Sequence, residues 1–205
     1  MPKDKTENHK KIIVAAQKEF IAHGFKNASL RRIASEAGMS ASGLYKHFSS
    51  KEEMFAALVE PAYDGLVKIY RQFADETCRI LDNKADFSDI WEYSHETAWI
   101  MGYIYENFEA FYLAVCKAEG TRYESFLHDI AKMGEDRTLE FMRQLSSLGV
   151  KLNTFSRKEF HLLTTTYMDA IFEAVRHNFT KSEAIHYAET LDKFFTLSWK
   201  SFFGY

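Results

Sequence analysis

The amino-acid sequence predicts an all-α protein on the strength of three observations. The chain has 205 residues but only 2 prolines and 9 glycines, so it contains few residues that break helices. Apolar side chains recur at helical spacing, as at Ile13, Ala16 and Phe20, and no convincing strand-like alternation stands out. Four Ser/Thr-x-x-Glu pairs match the capping box that satisfies free amides at a helix start. These pairs are Ser50/Glu53, Thr121/Glu124, Ser156/Glu159 and Thr180/Glu183.

Glycines supply the matching helix ends, because glycine adopts the left-handed conformation at a C-cap without steric strain. They are Gly24, Gly38, Gly120 and Gly149. Together these signals predict about nine helices, three of them short and close to the N-terminus. The predicted ranges are 6–24, 29–37, 40–47, 50–82, 87–107, 108–119, 121–148, 156–178 and 180–203. The long fourth helix contains Pro61, which lacks an amide hydrogen and is predicted to bend or split that helix.

Charge is distributed unevenly along the chain. Residues 1–51 hold ten lysines and arginines against four acidic residues, a net charge of +6, whereas the remainder carries −9 and the whole chain −3. A small basic domain joined to a larger acidic one is the pattern of a polyanion-binding head on a body that would itself repel phosphate. Because no flexible linker separates them, the fourth helix is predicted to connect head and body rigidly.

The basic N-terminal region contains the spacing A-x3-G-x5-L, formed by Ala34, Gly38 and Leu44. The small Ala34 lets a second helix approach closely, Gly38 forms the turn, and Leu44 anchors the next helix. This is the geometry of a helix-turn-helix, in which Ser40 is the predicted N-cap of the third helix. The same spacing occurs by chance in many helical proteins, but the positive charge and the capping box that follows at Ser50 favour a DNA-binding interpretation.

The third helix is predicted to enter the major groove of DNA. Residues 41–43 are small, so the backbone of this helix can approach the bases closely. Lys46 can reach a guanine edge or a phosphate, while the Tyr45 hydroxyl and His47 suit phosphate oxygens. Lys51, in the first turn of the fourth helix, adds a cation beside amides that already face an anion.

Residues 12–58 resemble the DNA-binding head of TetR-family transcriptional regulators, whose pattern runs I-A-x-x-A-G-V-S-x-x-x-L-Y-x-H-F-x-S-K-E-x-L. The matching positions are Ile33, Ala34, Ala37, Gly38, Ser40, Leu44, Tyr45, His47, Phe48, Ser50, Lys51 and Glu52, with Met39 and Met54 as apolar equivalents. With the N-cap included, the predicted DNA-binding residues are Ser29, Arg31, Ser40, Ala41, Ser42, Gly43, Tyr45, Lys46, His47 and Lys51. Two positions depart from the pattern: Gly43 stands where Thr or Ala is frequent, and Leu30 follows Ser29 where a second hydroxyl is common.

The resemblance also implies an architecture and a function. Residues 1–50 would form a helix-turn-helix DNA-binding domain, and residues 51–205 a helical domain for effector binding and dimerisation. The implied protein is a homodimeric, sequence-specific transcriptional regulator. Our hypothesis is a repressor that a small, largely apolar or aromatic effector releases from a palindromic operator.

Four side chains of the body recur every four residues and form one face of a predicted helix. They are Trp91, His95, Trp99 and Tyr103. Such a face can line an apolar pocket, with the His95 ring and tyrosine hydroxyls orienting a ligand, so these residues are the candidate effector pocket. The alternative is that they are core residues, which aromatic stripes at helical spacing more often are.

The last two predicted helices, 156–178 and 180–203, carry apolar stripes, in the second case through Ile185, Phe195 and Trp199. Two antiparallel helices of this kind can pair with their copies around a two-fold axis to form a four-helix bundle. The pattern fits intramolecular packing equally well, and the family resemblance favours the dimer. A two-fold dimer predicts a palindromic operator.

Two alternatives belong to other classes. The pairs Glu92/His95 and Glu183/His186 share the E-x-x-H spacing of di-iron oxidoreductases built on helical bundles. About one such pair is expected by chance, and Glu183 lies on the polar face of its helix, so we predict no metal, no cofactor and no enzyme activity. A non-specific architectural DNA binder could use the same basic head, but it would show no preference for a palindrome.

The sequence also predicts a compartment. The two cysteines, Cys78 and Cys116, have neither metal-ligand spacing nor the number needed for a disulfide framework. The N-terminal residues are polar where a signal peptide would be apolar, and no apolar stretch approaches the roughly 18 residues of a membrane helix. We expect a soluble, cytoplasmic protein without membrane contact.

Overall fold

A computed structural model describes residues 2–83 and 96–204, with side chains described for residues 6–73 and 97–204. The described residues form nine helices and no strand. They are α1 (Pro2–Asn27), α2 (Leu30–Glu36), α3 (Ala41–Leu44), α4 (Lys51–Asn83), α5 (Glu96–Glu106), α6 (Phe108–Cys116), α7 (Phe126–Ser147), α8 (Arg157–Arg176) and α9 (Lys181–Phe203). The predicted all-α fold class is therefore confirmed. The part of the fifth predicted helix before residue 96 lies outside the described residues.

Capping side chains explain most of the helix starts. At α8 and α9 both halves of the capping box form, Ser156 with Glu159 and Thr180 with Glu183. At α4 the Ser50 hydroxyl accepts a hydrogen bond from the Glu53 amide at 3.0 Å, while the Glu53 carboxylate accepts from the amide of Ser49 instead of Ser50. These three predicted starts lie within one residue of the observed ones.

The start predicted at Thr121 is wrong, because α7 begins only at Phe126. The Thr121 hydroxyl donates to the carbonyl oxygen of Ala118 at 2.8 Å and accepts from the Tyr123 amide at 3.0 Å. The Glu124 carboxylate accepts from the Gly120 amide at 3.0 Å. The two residues therefore hold a compact turn instead of a helix start.

Pro61 does not split α4, which continues from Lys51 to Asn83. The side chain of Pro61 is exposed. Of the predicted bend or split, the split is therefore wrong and the bend stays a prediction.

The chain divides into two compact units, of which the first comprises Met1–Gly65 and Asn107–Phe126. In this unit α1 packs against both α2 and α6, and α2 packs against α3. The Phe20 and Phe55 rings meet edge to face with their centres 5.1 Å apart, and both side chains are fully buried. The Phe25 amide donates to the carbonyl oxygen of Lys117 at 2.9 Å, so the chain after α6 is hydrogen-bonded to the end of α1.

The second unit comprises Leu66–Glu106 and Leu127–Tyr205. Within it α9 packs against α5 and α8. An aromatic cluster closes one end of this unit, where Phe160 and Phe203 are almost completely buried beside Phe155 and Trp199. The Asn153 amide donates to the carbonyl oxygen of Phe203 at 2.9 Å, which satisfies one of the last carbonyl groups of α9.

Candidate DNA interface and effector cavity

The turn between α2 and α3 is a glycine-dependent helix stop. Gly38 has φ of 70°, its amide donates to the carbonyl oxygen of Ser35 at 3.1 Å, and the Met39 amide donates to that of Ala34 at 2.9 Å. These two bonds make a Schellman motif. A Cβ atom at Gly38 would meet nothing within 4 Å, so the positive φ angle is what favours glycine here.

Helix α3 begins with a side-chain cap. The Ser40 hydroxyl accepts from the Gly43 amide at 3.1 Å and lies 3.0 Å from the Ser42 hydroxyl. A Cβ atom on Gly43 would lie 3.3 Å from the Ser40 hydroxyl oxygen, so the threonine or alanine frequent in this pattern would require the cap to move slightly.

Helix α3 is shorter than the predicted 40–47, because the chain tightens into turns after Leu44. The Lys46 amide donates to the carbonyl oxygen of Gly43 at 3.2 Å, and the His47 amide to that of Leu44 at 2.9 Å. These bonds span three residues, as in a 3₁₀ turn. Leu44 itself is fully buried, so the short helix is anchored on the core as predicted.

Most of the predicted DNA-binding side chains on α2 and α3 are accessible. Arg31, Ser42 and Lys46 are exposed, and Tyr45 exposes 51% of its surface. Ala41 and Gly43 are half-buried. A large exposed aromatic next to a lysine in the sequence suits contact with DNA better than contact with water.

His47 is only half-buried, but one of its ring nitrogens is enclosed. The Nδ1 atom is buried and has no hydrogen-bond partner within the described residues. The neighbouring Phe48 ring stacks on His9, with the ring centres 4.6 Å apart. Because Nδ1 is enclosed, Nε2 is the nitrogen through which this ring could contact a phosphate.

An ion pair between a buried carboxylate and an exposed arginine fixes α2 against α1. The Glu19 carboxylate, 9% exposed, accepts hydrogen bonds from Arg32 Nε at 2.9 and 3.0 Å and from the Ser29 amide at 2.8 Å. Burial would raise the pKa of Glu19, but the Arg32 and Ser29 hydrogen bonds and the nearby positive charges outweigh it and lower the pKa. The Ser29 hydroxyl caps α2 by accepting from the Arg32 amide at 3.4 Å. Its predicted contact with DNA stays a prediction.

The ammonium group of Lys51 makes contacts that the sequence did not predict. Its Nζ atom donates to the carbonyl oxygens of Phe25 at 2.7 Å, Lys26 at 3.3 Å and Ala28 at 3.4 Å. These carbonyl groups lie at the end of α1, where a cation is favourable. The structure therefore gives the half-buried Lys51 a positioning role within the head, and its predicted contact with a phosphate stays a prediction.

The fold and the site define a helix-turn-helix DNA-binding protein. The profile of the tetR family of bacterial regulatory proteins matches residues 12–58. An HTH-type transcriptional regulator of Staphylococcus aureus is 26% identical over 145 residues, covering 63% of this chain and 78% of that protein. Residues 12–58 therefore match the DNA-binding domain of the tetR family, and the relatives support a TetR-family transcriptional regulator.

Two further proteins are similar to this chain, one in sequence and one in structure. The HTH-type transcriptional activator FasR of Mycolicibacterium smegmatis is 38% identical over 72 residues, which cover 35% of this chain and 32% of FasR. The TetR-family transcriptional regulator PfmR of Thermus thermophilus is 21% identical and has a TM-score of 0.58, over 89% of this chain and 97% of PfmR. The structural likeness supports the all-helical fold over the 89% of this chain that it covers.

The second unit contains a cavity of about 190 Å³. Residues of α4, α5, α7, α8 and α9 line it. They are Tyr70, Thr97, Ile100, Gly134, Arg137, Thr138, Phe160, Thr164, Tyr167, Met168, Ile171, Asp192, Phe195, Thr196, Trp199 and Phe203. The lining is mostly aromatic and aliphatic with a few hydroxyl groups, which is typical of a small-molecule site.

The hydroxyl groups of the lining differ in their partners. Thr97 Oγ1 and the Tyr167 hydroxyl lie 2.6 Å apart, and Thr138 donates to the carbonyl oxygen of Gly134 at 2.9 Å. Thr164 is 5% exposed, and its Oγ1 has no hydrogen-bond partner among the described residues. A buried polar atom of this kind is a place where a ligand can gain a hydrogen bond.

The described residues of the predicted effector stripe do not line this cavity. Trp91 and His95 lie outside the described residues, and Trp99 is 54% exposed and meets the Phe73 ring edge to face at 5.4 Å. Tyr103 is half-buried, and burial together with the nearby charge of Glu106 raises its pKa. Neither Trp99 nor Tyr103 lines the cavity, and a role of the stripe in effector binding stays a prediction.

Sequence reasoning missed the residues of α7 and α8 that shape the cavity. Gly134 lies in the interior of α7, where glycine is unfavourable unless packing requires it. Thr164 begins a run of three threonines within α8. Both are weak signals, but an interior glycine facing a buried threonine could have indicated this site.

The Glu183 carboxylate of the second E-x-x-H pair accepts from the Thr180 amide at 2.7 Å and from its hydroxyl at 2.8 Å. It therefore acts as a helix cap. Within the described ranges, no helix is both long enough and apolar enough to cross a membrane.

Proposed function

We propose that this regulator is a homodimeric repressor that occupies a palindromic operator in the cytoplasm and leaves it when a small molecule binds the second unit. The observation that carries the DNA-binding part is the Schellman turn at Gly38 followed by the capped helix α3. This arrangement holds the accessible side chains of Tyr45 and Lys46 at the end of a helix anchored on the core. A short helix held in this way suits the major groove.

The chemistry of each side chain supports a division of roles on the DNA. Lys46 is exposed at the end of α3 and suits a guanine edge. The Tyr45 hydroxyl, Nε2 of His47 and the exposed Arg31 suit phosphate oxygens, which position the protein without reading sequence. Ser42 lies exposed on α3, where its small side chain permits close approach to the bases.

Exposed apolar residues on α8 and α9 support the homodimer. Leu162 and Leu163 are 66% and 40% exposed on α8, and Phe194 and Leu197 are 66% and 71% exposed on α9. Large apolar side chains exposed to this degree on two neighbouring helices are typical of surfaces that another protein covers. A second copy of the same two helices would cover them in a four-helix bundle with two-fold symmetry.

The sign of regulation is proposed from how a bound dimer occupies DNA. Two heads in successive major grooves cover a stretch of promoter that another protein cannot then occupy, which represses transcription. FasR is named an activator, but its similarity covers only 35% of this chain and 32% of FasR. Transcription from a promoter carrying the selected operator, with and without the regulator, tests the sign directly.

Selection from a pool of random DNA duplexes tests the function. We expect a palindromic consensus, bound at least about a thousandfold more tightly than random DNA at physiological salt. The double variant R31M/K46M should lose binding while keeping its folding stability, because both side chains are exposed. Equal affinity for selected and random DNA would contradict the proposal and favour a non-specific architectural protein.

A further inference from the structure

We infer that the cavity of the second unit binds a small neutral ring compound carrying one hydrogen-bonding substituent, and that this substituent bonds to Thr164. The inference rests on the proposed function, because it names the chemical class of the effector. It concerns residues of α7, α8 and α9 that lie together in one unit.

The volume limits the size of the ligand. A cavity of about 150 Å³ lined by apolar side chains accommodates one benzene molecule. The cavity here measures about 190 Å³, so a single ring with one or two substituents fits and a long acyl chain does not. The aromatic side chains of Phe160, Phe195 and Trp199 provide ring faces and edges for such a compound.

Two features of the lining favour a neutral ligand. Among the described residues that line the cavity, only Arg137 and Asp192 carry a formal charge, and their charges are opposite. A charged ligand would therefore be attracted by one of them and repelled by the other. The remaining polar side-chain groups of the lining are hydroxyls and the indole N–H of Trp199, which bind a neutral hydroxyl or carbonyl group without a charge.

Thr164 supplies the specific hydrogen bond. Its Oγ1 is buried and has no partner among the described residues, and Thr164 is one of the residues that line the cavity. A ligand that reaches this hydroxyl therefore removes an unfavourable state of the empty protein. A hydroxyl can donate or accept, so a phenol, an alcohol or a ketone each satisfies it. A hydrocarbon of the same shape would leave it unsatisfied.

Gly134 opens the space beside this hydroxyl. A Cβ atom at Gly134 would lie 3.3 Å from Met168 Cε and 3.9 Å from Thr164 Cγ2. Alanine would therefore push against the Met168 side chain and narrow the cavity next to Thr164. Glycine at this position destabilises α7 relative to alanine, but it leaves space in the cavity that a larger residue would fill.

Calorimetric titration with p-cresol and toluene tests the inference, because the two probes differ by one hydroxyl. We expect p-cresol to bind the wild type about tenfold more tightly than toluene. Thr164→Val should remove this difference, and Thr164→Ser, which keeps the hydroxyl, should retain it. Gly134→Ala should weaken the binding of both probes, because it narrows the cavity and leaves the Thr164 hydroxyl in place.

The thermal stability of the ligand-free protein gives a second readout. Thr164→Val should unfold at a higher temperature than the wild type, because it replaces an unpaired buried hydroxyl by a methyl group of similar size. Equal affinity of p-cresol and toluene for the wild type, or an unchanged ratio in Thr164→Val, would contradict the inference. So would binding of a long-chain acyl compound in the absence of p-cresol binding.

Operator binding separates this inference from the proposed function. All variants change residues of the second unit, so they should bind the selected operator as tightly as the wild type when no probe is present. A wild type that binds the operator but neither probe would overturn the ligand class and leave the DNA-binding function standing. A wild type that fails to select any operator would overturn the proposed function itself.

Discussion

The ammonium nitrogen of Lys51 lies 2.7 Å from the carbonyl oxygen of Phe25 and 4.4 Å from the centre of the Phe25 ring. One side chain from the first turn of α4 thus neutralises the carbonyl end of α1 and covers an aromatic ring of the core. The lysine at this position of the family pattern therefore stabilises the head from within. Its positive charge does not have to face DNA to matter for DNA binding.

We predict that Lys51→Met destabilises the protein and leaves the salt dependence of DNA binding unchanged. The variant keeps the apolar stem but loses hydrogen bonds from a charged donor, which should lower the free energy of unfolding by about 1–3 kcal/mol. Denaturant unfolding measures the first effect, and operator affinity between low and moderate salt measures the second. Arg31→Met is the control, because loss of one exposed phosphate contact should flatten the salt slope by about 0.9. A flattened slope with unchanged stability in Lys51→Met would restore the phosphate contact.

Lys46 and Tyr45 should differ in what they contribute to operator binding. Lys46→Gln is expected to change the preferred base at one position of each half-site, with a change of about 1–3 kcal/mol between bases. Tyr45→Phe should lower the affinity for all DNA sequences alike by roughly fivefold, because it removes one hydrogen bond to a phosphate. Repeating the DNA selection with each variant distinguishes the two effects. If Lys46→Gln instead lowered the affinity for all DNA sequences equally, Lys46 would be a phosphate contact and not a base contact.

The Glu19–Arg32 pair predicts a pH dependence of stability. The pKa of Glu19 is lowered in the folded head, so its stabilising effect is present above the ordinary carboxyl pKa and is lost as the pH falls through the folded value. Glu19→Gln should lower the free energy of unfolding at neutral pH by about 2 kcal/mol, a moderate value because Arg32 is 53% exposed. The difference from the wild type should shrink as the pH falls below about 4.

Glu36→Gln is the matched control for this pH prediction. Glu36 forms an ion pair with Lys18 at 2.9 Å, but both side chains are more than half exposed. An exposed pair of this kind contributes little to stability, so the control should lie close to the wild type at every pH. Parallel pH profiles for wild type and Glu19→Gln would show that the buried carboxylate is not the group responsible.

The head could be predicted in detail because local rules determine it. Gly38 has the positive φ angle that its turn requires, Ser40 caps α3, and Leu44 is fully buried, all as the spacing of these residues indicated. Each of these features depends on residues close in the sequence. The family pattern then placed Tyr45 and Lys46 on the exposed side.

Contacts between distant residues were harder to predict. The hydrogen bonds of Lys51 to Phe25 and Lys26 join residues that are 26 and 25 positions apart in the sequence. Nothing in the sequence near Lys51 indicates these contacts. The cavity depends in the same way on how α7, α8 and α9 pack, so Gly134 and Thr164 were not identified. The helix start predicted at Thr121 failed because its residues form a local turn with the same side-chain chemistry.

The proposed dimer interface gives the sharpest prediction for the second unit. Leu197 is 71% exposed on α9, one turn after Phe194 at 66%, so the two side chains lie on the same face of the helix. Leu197→Glu would place a carboxylate against the apolar surface of the second copy, where an unpaired charge is strongly unfavourable. Leu148→Glu is the matched control, because Leu148 is 52% exposed just beyond α7 and outside the proposed interface.

We expect sedimentation equilibrium to show a dimer for the wild type and for Leu148→Glu, and a monomer for Leu197→Glu at micromolar concentration. Operator affinity of Leu197→Glu should fall by at least about a hundredfold, because a monomer binds one half-site without the gain from a linked second head. Its affinity for an isolated half-site should stay within about twofold of the control, which separates loss of pairing from loss of folding. A dimeric Leu197→Glu with full operator affinity would instead place the two-fold interface on another surface, and the exposed leucines of α8 and α9 would then need a different partner.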